Sequence, residues 1–149
     1  MLRRIPARCP SSGIDGEGGA NMTNVLIIED DDEIREMLAL LLMGAGYVVR
    51  TAAHGREGIR VARNEPIDLV ITDILMPVQE GIETIAQLRR QFPRIRIIAI
   101  SGGGIVQPED YLATAQIFGA AMTISKPFDA DEILQAVCYL ASPIARASS

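Results

Sequence analysis

Apolar residues in this chain follow two alternating rhythms from about residue 22 onward. Short unbroken runs, Val25–Ile28, Leu69–Thr72 and Ile95–Ile100 among them, have the length and β-branched content of strands covered on both faces. Tyr47–Thr51 and Ala121–Ile124 read as two further strands. Between the runs, apolar positions recur at helical spacing. After the first run, Ile34, Met37, Leu38, Leu41 and Leu42 share one helical face, with Asp31 or Asp32 as cap and Gly44 and Gly46 as the stop. A second helix is expected from about Arg56 to Arg63, with Ile59 and Ala62 inward and the arginines at 56, 60 and 63 on a solvated face. A third spans Gly81–Phe92 and buries Ile82, Ile85 and Leu88. A weaker fourth covers Glu109–Phe118, and the last opens on the capping-box pair Asp129 and Glu132 and ends near Leu140.

Five strands alternating with five helices specify an α/β domain, a doubly wound (βα)5 unit around a five-stranded parallel sheet. Ligands in such sheets bind outside the carboxyl ends of the strands. The patterned region fills residues 22–142, read as one domain. Residues 1–21 are rich in Gly, Ser, Pro and Arg without hydrophobic period, and are expected to be a disordered extension. Residues 143–149 form a short Ser/Ala-rich tail, and no second domain is expected.

Charge narrows the classes of partner. The formal net charge of −5 argues against unaided binding to nucleic acid or to an anionic membrane. The longest apolar stretch, Met37 to Val49, is broken by Gly44 and Gly46 and is too short for a bilayer. Cys9 and Cys138 lack metal-type spacing, so a reducing, cytoplasmic setting is expected, with Cys138 a small hydrophobe on the last helix. His54, the sole histidine, lies in a polar loop and is read as solvated.

The chemistry gathers where strands end. The first strand runs into Glu29-Asp30-Asp31-Asp32, the third into Asp73, and the fourth into Ser101. The fifth runs into Lys126, the only lysine beside thirteen arginines. Asp30 and Asp73 follow strands that are neighbours in this architecture, and two carboxylates a few Å apart repel unless a cation lies between them. With neither His nor Cys at hand, the oxygen-rich set suits Mg²⁺, which accepts one or two carboxylates, several waters and a phosphate. Glu29 is placed to hold a metal-bound water, and the backbone carbonyl of Leu75 points back into the site. Asp73 can act as nucleophile toward a phosphoryl group once its charge is offset. Lys126 can reach Asp73 or a phosphoryl oxygen on it, and Ser101 offers a hydroxyl. Asp31 and Asp32 are read as helix caps; for Asp30, Asp73 and Ser101 the competing reading is an ordinary cap or turn. Gly102-Gly103-Gly104 fits neither a dinucleotide fingerprint nor a Walker pattern, so no nucleotide site is inferred there.

Glu29-Asp30-Asp31, Asp73-Ile74-Leu75-Met76-Pro77, Ile100-Ser101-Gly102 and Lys126-Pro127-Phe128, in this order, resemble the receiver domain of bacterial two-component response regulators. The resemblance implies a flavodoxin-like sheet of order 2-1-3-4-5. It implies Asp73 as phospho-acceptor, Asp30 as a direct Mg²⁺ ligand, Glu29 as the second acid acting through water, and Leu75 as a carbonyl ligand. Ser101 becomes the switching hydroxyl and Lys126 the site lysine, with a cis bond to Pro127. The implied partners are a histidine kinase or histidine phosphotransfer protein and a downstream protein target. The signal is expected to leave through the fourth helix, fifth strand and fifth helix. Such a protein is a phosphoryl acceptor with slow self-dephosphorylation, not a turnover enzyme.

Two features depart from the family pattern. Thr123 stands where an aromatic residue is usual, three positions before the lysine, and the Ser101–Lys126 segment is glycine-rich and slightly long. Thr123 is the support for the alternative, a phosphorylation-independent adaptor with the same fold. A phosphatase with an aspartyl nucleophile would need a second acid two residues after Asp73, where Leu75 stands.

Overall fold

In the computed structural model, residues 23–74, 80–101 and 119–141 are described. They form five strands, β1 Asn24–Ile28, β2 Val48–Ala52, β3 Leu69–Asp73, β4 Arg96–Ser101 and β5 Met122–Ser125. Four helices accompany them: α1 Asp32–Gly44, α2 Gly55–Asn64, α3 Glu80–Gln91 and α4 Ala130–Ala141. The strands make one parallel sheet of order β2-β1-β3-β4-β5, the flavodoxin-like order expected. Residues 109–118, the expected weaker helix, lie outside the described residues, as do both chain ends.

The alternating pleat divides the core in two. Leu26, Ile28, Val70, Ile97 and Ala99 face one side of the sheet and meet Ile59, Ile85 and Leu88 of α2 and α3. Val25, Ile27, Ile71, Ile98 and Ile100 face the other and meet Leu38 and Leu42 of α1 and Ile133, Val137 and Leu140 of α4. Both faces of β1, β3 and β4 are therefore dry, which is why these runs are apolar at every position rather than alternating.

The helix starts use side-chain oxygens and one ring nitrogen. Asp31 caps α1 by accepting from the Glu33 and Ile34 amides at 2.9 and 3.1 Å. Asp129 and Glu132 form the reciprocal capping box that opens α4. His54 is not a bystander: its Nδ1 accepts from the Glu57 amide at 3.3 Å and caps α2. Gly46, with φ +99°, turns the chain from α1 into β2.

Two expectations change. Met37 does not belong to the buried face of α1 and is 46% exposed, with Leu40 and Met43 also exposed. The buried stripe is centred on Leu38 and Leu42, and a neighbour in sequence sits roughly 100° around the helix. Cys138 is buried on α4 as expected, but it is disulfide-bonded rather than a free small hydrophobe. Among the described residues, no helix is long and apolar enough to cross a membrane.

One glycine ties the packing to the site. A Cβ on Gly81, in the first turn of α3, would lie 2.3 Å from Ile74 Cα and 2.7 Å from the Ile74 carbonyl carbon and oxygen. Ile74 directly follows Asp73, and the atoms that would clash are its backbone atoms, which no side-chain rotation can move away. Gly81→Ala gains about 1 kcal/mol of helix propensity but loses about 1–3 kcal/mol to overpacking. The expected result is a net loss of stability in urea unfolding, with amide shifts concentrated at Asp73 and Ile74.

Candidate functional site: an acidic cluster and a lysine at the carboxyl edge

Register puts the chemistry in one row. Ile28 pairs with Thr72, Asp73 with Ile100, and Ser101 with Ser125, so Glu29, Asp73, Ser101 and Lys126 all emerge at the same edge. The ladder continues past the strand ends: the Glu29 amide donates to the Ala52 carbonyl, that of Ile74 to Ile100, and that of Lys126 to Ser101. These bonds hold the side chains on rigid backbone.

Glu29 and Asp73 are buried, at 2% and 5% exposure, whereas Asp30 is exposed. Carboxylate oxygens from the three lie within 4.8 Å of one another. The Lys126 ammonium lies 3.1 Å from Asp73 Oδ2 and 3.5 Å from Glu29 Oε1. The Glu29 carboxylate also accepts from the Asp31 amide, and Arg35 donates to the Glu29 carbonyl. The Lys126–Pro127 bond is cis. Leu75 lies outside the described residues.

The electrostatics follow from this crowding. Burial, and then the neighbouring Asp73 charge, push the Glu29 carboxyl up to about 7, against the pull of the Asp31 amide and Lys126. Burial alone would lower the Lys126 ammonium, but Asp73 and Glu29 outweigh it and hold its pKa above the ordinary lysine value. Three acids face one ammonium, so the pocket carries surplus negative charge above neutral pH. A divalent cation would relieve it, and an all-oxygen donor set of this kind fits Mg²⁺. Ser101 is fully buried, and among the described residues its hydroxyl has no hydrogen-bond partner. Leaving such a group unmatched is costly, which makes it a marker of a site that expects an acceptor.

The sequence model of the response regulator receiver domain family matches residues 25–138. The chain belongs to this family. Over 114 residues it is 34% identical to the transcriptional regulatory protein GlrR of Escherichia coli strain K12, covering 76% of this chain but 25% of that regulator. The chain thus spans about a quarter of the length of that relative, and half of the response regulator ArlR of Staphylococcus epidermidis. Among solved structures, a receiver domain protein from Clostridium thermocellum superposes with a TM-score of 0.75 at 27% identity, covering 86% of this chain and all of the other. The chemotaxis response regulator CheY4 of Vibrio cholerae gives 0.71 at 31% identity, over 80% of this chain and 99% of that one. Receiver domains are signalling modules of two-component systems that bind Mg²⁺ at an acidic site and engage histidine kinases and effectors.

Thr123 is one of the two departures expected from the sequence. It is half-buried on β5 opposite Ala99, so a small polar side chain occupies the place of a ring. The capping role of His54 was missed because its only sequence signal, a helix starting one residue later, depends on the exact helix boundary.

Proposed function

We propose that this receiver takes a phosphoryl group from a phosphohistidine on a kinase or phosphotransfer protein onto Asp73. In the transfer, an Asp73 carboxylate oxygen bonds to phosphorus, the phosphorus–nitrogen bond breaks, and the imidazole nitrogen keeps the electron pair. The residues that would hold Mg²⁺ are Asp30 and Asp73 directly, the Leu75 carbonyl, and Glu29 through water. The ion supplies charge neutralisation to the incoming phosphoryl oxygens. Lys126 then exchanges part of its contact with Asp73 for a phosphoryl oxygen, and Ser101 donates its hydroxyl to another. The protein's contribution is positioning and electrostatics.

The observation that carries this reading is the pairing of Lys126 with Asp73 at 3.1 Å beside the partnerless buried hydroxyl of Ser101. A purely structural ion pair would not need an orphaned donor next to it. With Thr123 in place of a ring, switching rests on Ser101 and the backbone that follows it. The signal leaves by contact with a downstream protein, and the acyl phosphate is lost by slow self-hydrolysis rather than in turnover of a separate substrate.

Intact-mass spectrometry after incubation with Mg²⁺ and acetyl phosphate tests the reading. The parent should gain the mass of one phosphoryl group, and Asp73→Asn should gain nothing. A folded parent that takes up no phosphoryl group and binds no Mg²⁺ would favour the phosphorylation-independent adaptor.

A further inference from the structure

At the opposite edge of the sheet, a cavity of about 820 Å³ opens beneath the N-terminal ends of β3, β4 and β5. Three arginines line it, Arg89 from the end of α3, Arg94 from the following turn and Arg96 from the start of β4. Among the described residues, the one acid in its lining is Asp68. Asp68 Oδ2 is engaged by the Asn24 amide at 2.8 Å and by its side-chain nitrogen at 3.3 Å. Among the described residues, three positive groups against one negative leave the wall with surplus positive charge, on a chain whose net charge is −5. The patch is therefore a local inversion of the protein's field rather than a reflection of it.

Two of the arginines differ in what they already do. Arg89 is held: its Nη1 donates to the carbonyls of Pro93 at 2.9 Å and Ile95 at 3.4 Å. Its stem lies against Gly119, where a Cβ would come within 2.1 Å of Arg89 Cγ. A guanidinium fixed this way keeps donors to spare at no further entropic cost. Arg94 is exposed, and its guanidinium has no hydrogen-bond or ion-pair partner among the described residues. Local structure accounts for Arg89 but not for Arg94.

We propose that this cavity binds a small organic phosphate, with Arg94 as the phosphate-contacting fork and Arg89 and Arg96 as the positively charged wall behind it. Planar guanidinium groups match phosphate oxygens two at a time. The volume falls in the range of roughly 300–1,000 Å³ typical of small-molecule sites. Pro93, Leu140 and Ala141 add apolar lining beside the arginines, suited to an organic body attached to the phosphate. The whole of β3 separates this cavity from Asp73, so the proposal does not rest on the acidic-site reading.

The test is an NMR titration of the full chain with inorganic pyrophosphate, in EDTA and at constant ionic strength. Amide shifts are expected at Arg96, Gly119, Ala121 and Leu140, with none at Glu29 or Asp73. Arg94→Glu should weaken binding by roughly tenfold or more, as expected for losing charge-assisted hydrogen bonds. Arg60→Glu, the same charge change on the solvated face of α2, should leave it unchanged. Shifts confined to the acidic edge, equal weakening by both variants, or no saturable shifts would overturn the proposal. So would binding of a poly-glutamate peptide in place of pyrophosphate, which would make the surface a protein contact.

Discussion

Lys126→Met is expected to unfold at markedly lower urea than the parent at about pH 8, by on the order of 3 kcal/mol, with the gap closing at about pH 5. The substitution removes the ammonium that lies 3.5 Å from Glu29 and 3.1 Å from Asp73, while leaving both carboxylates buried. Stranding buried charge costs more than the original ion pair contributed, because neither carboxylate can regain water without unfolding. Lys126 is itself 22% exposed, which keeps the expected loss at the lower end of the range for buried pairs. The pH dependence has a definite sign. Glu29 has a folded pKa of about 7 against an ordinary 4.5, so between those values the folded protein holds more protons than the unfolded chain. Stability therefore falls as pH rises through this window, in the parent and more steeply in the variant, which has lost the Lys126 charge that pulls Glu29 down. Mg²⁺ should restore much of the difference at high pH. Urea unfolding of both proteins at the two pH values, with EDTA or with Mg²⁺, checks all three statements.

Asp73→Asn should move stability the other way. The metal-free variant is expected to be more stable than the parent at about pH 8, by about 1–2 kcal/mol, since each unit of relief in the Glu29 pKa corresponds to about 1.4 kcal/mol. After burial, the Asp73 charge is the main cause of the raised Glu29 pKa. Neutralising it leaves one buried carboxylate facing one ammonium in place of two. The same change removes the proposed Mg²⁺ ligand and phosphoryl acceptor, so Mg²⁺ affinity should fall and phosphoryl uptake should vanish. A gain in stability coupled to a loss of function marks a site that is strained for its chemistry. Urea unfolding, together with Mg²⁺ titration of parent and variant, measures both halves. An Asn variant less stable than the parent would show that the Lys126–Asp73 attraction outweighs the repulsion between the acids.

Elements and edge follow from local patterning alone. Uninterrupted apolar runs require strands dry on both faces, and helix-period runs between them require covering layers, so the five strands and the four described helices were legible to within a residue or two. That Glu29, Asp73, Ser101 and Lys126 share this edge was legible for the same reason: they are the first chemically active side chains after, or at the end of, apolar strands. Local patterns carry this information because they reflect backbone periodicity and capping, which act over a few residues. Tertiary structure decided what depends on distance. Glu29 and Asp30 are adjacent in sequence, yet Glu29 is buried and raised in pKa while Asp30 is exposed, because the fold turns Glu29 inward to 3.5 Å from the Lys126 ammonium and leaves Asp30 on the solvent side of the cluster. Met37 shares an apolar pattern with Leu38, but the face of α1 that meets the sheet is centred on Leu38 and Leu42 and leaves Met37 exposed. The arginines at 89, 94 and 96 look like scattered surface charge in the sequence. They become one wall only when the end of α3, the turn after it and the start of β4 fold over Gly119 and Asp68, residues brought close by sheet order and register.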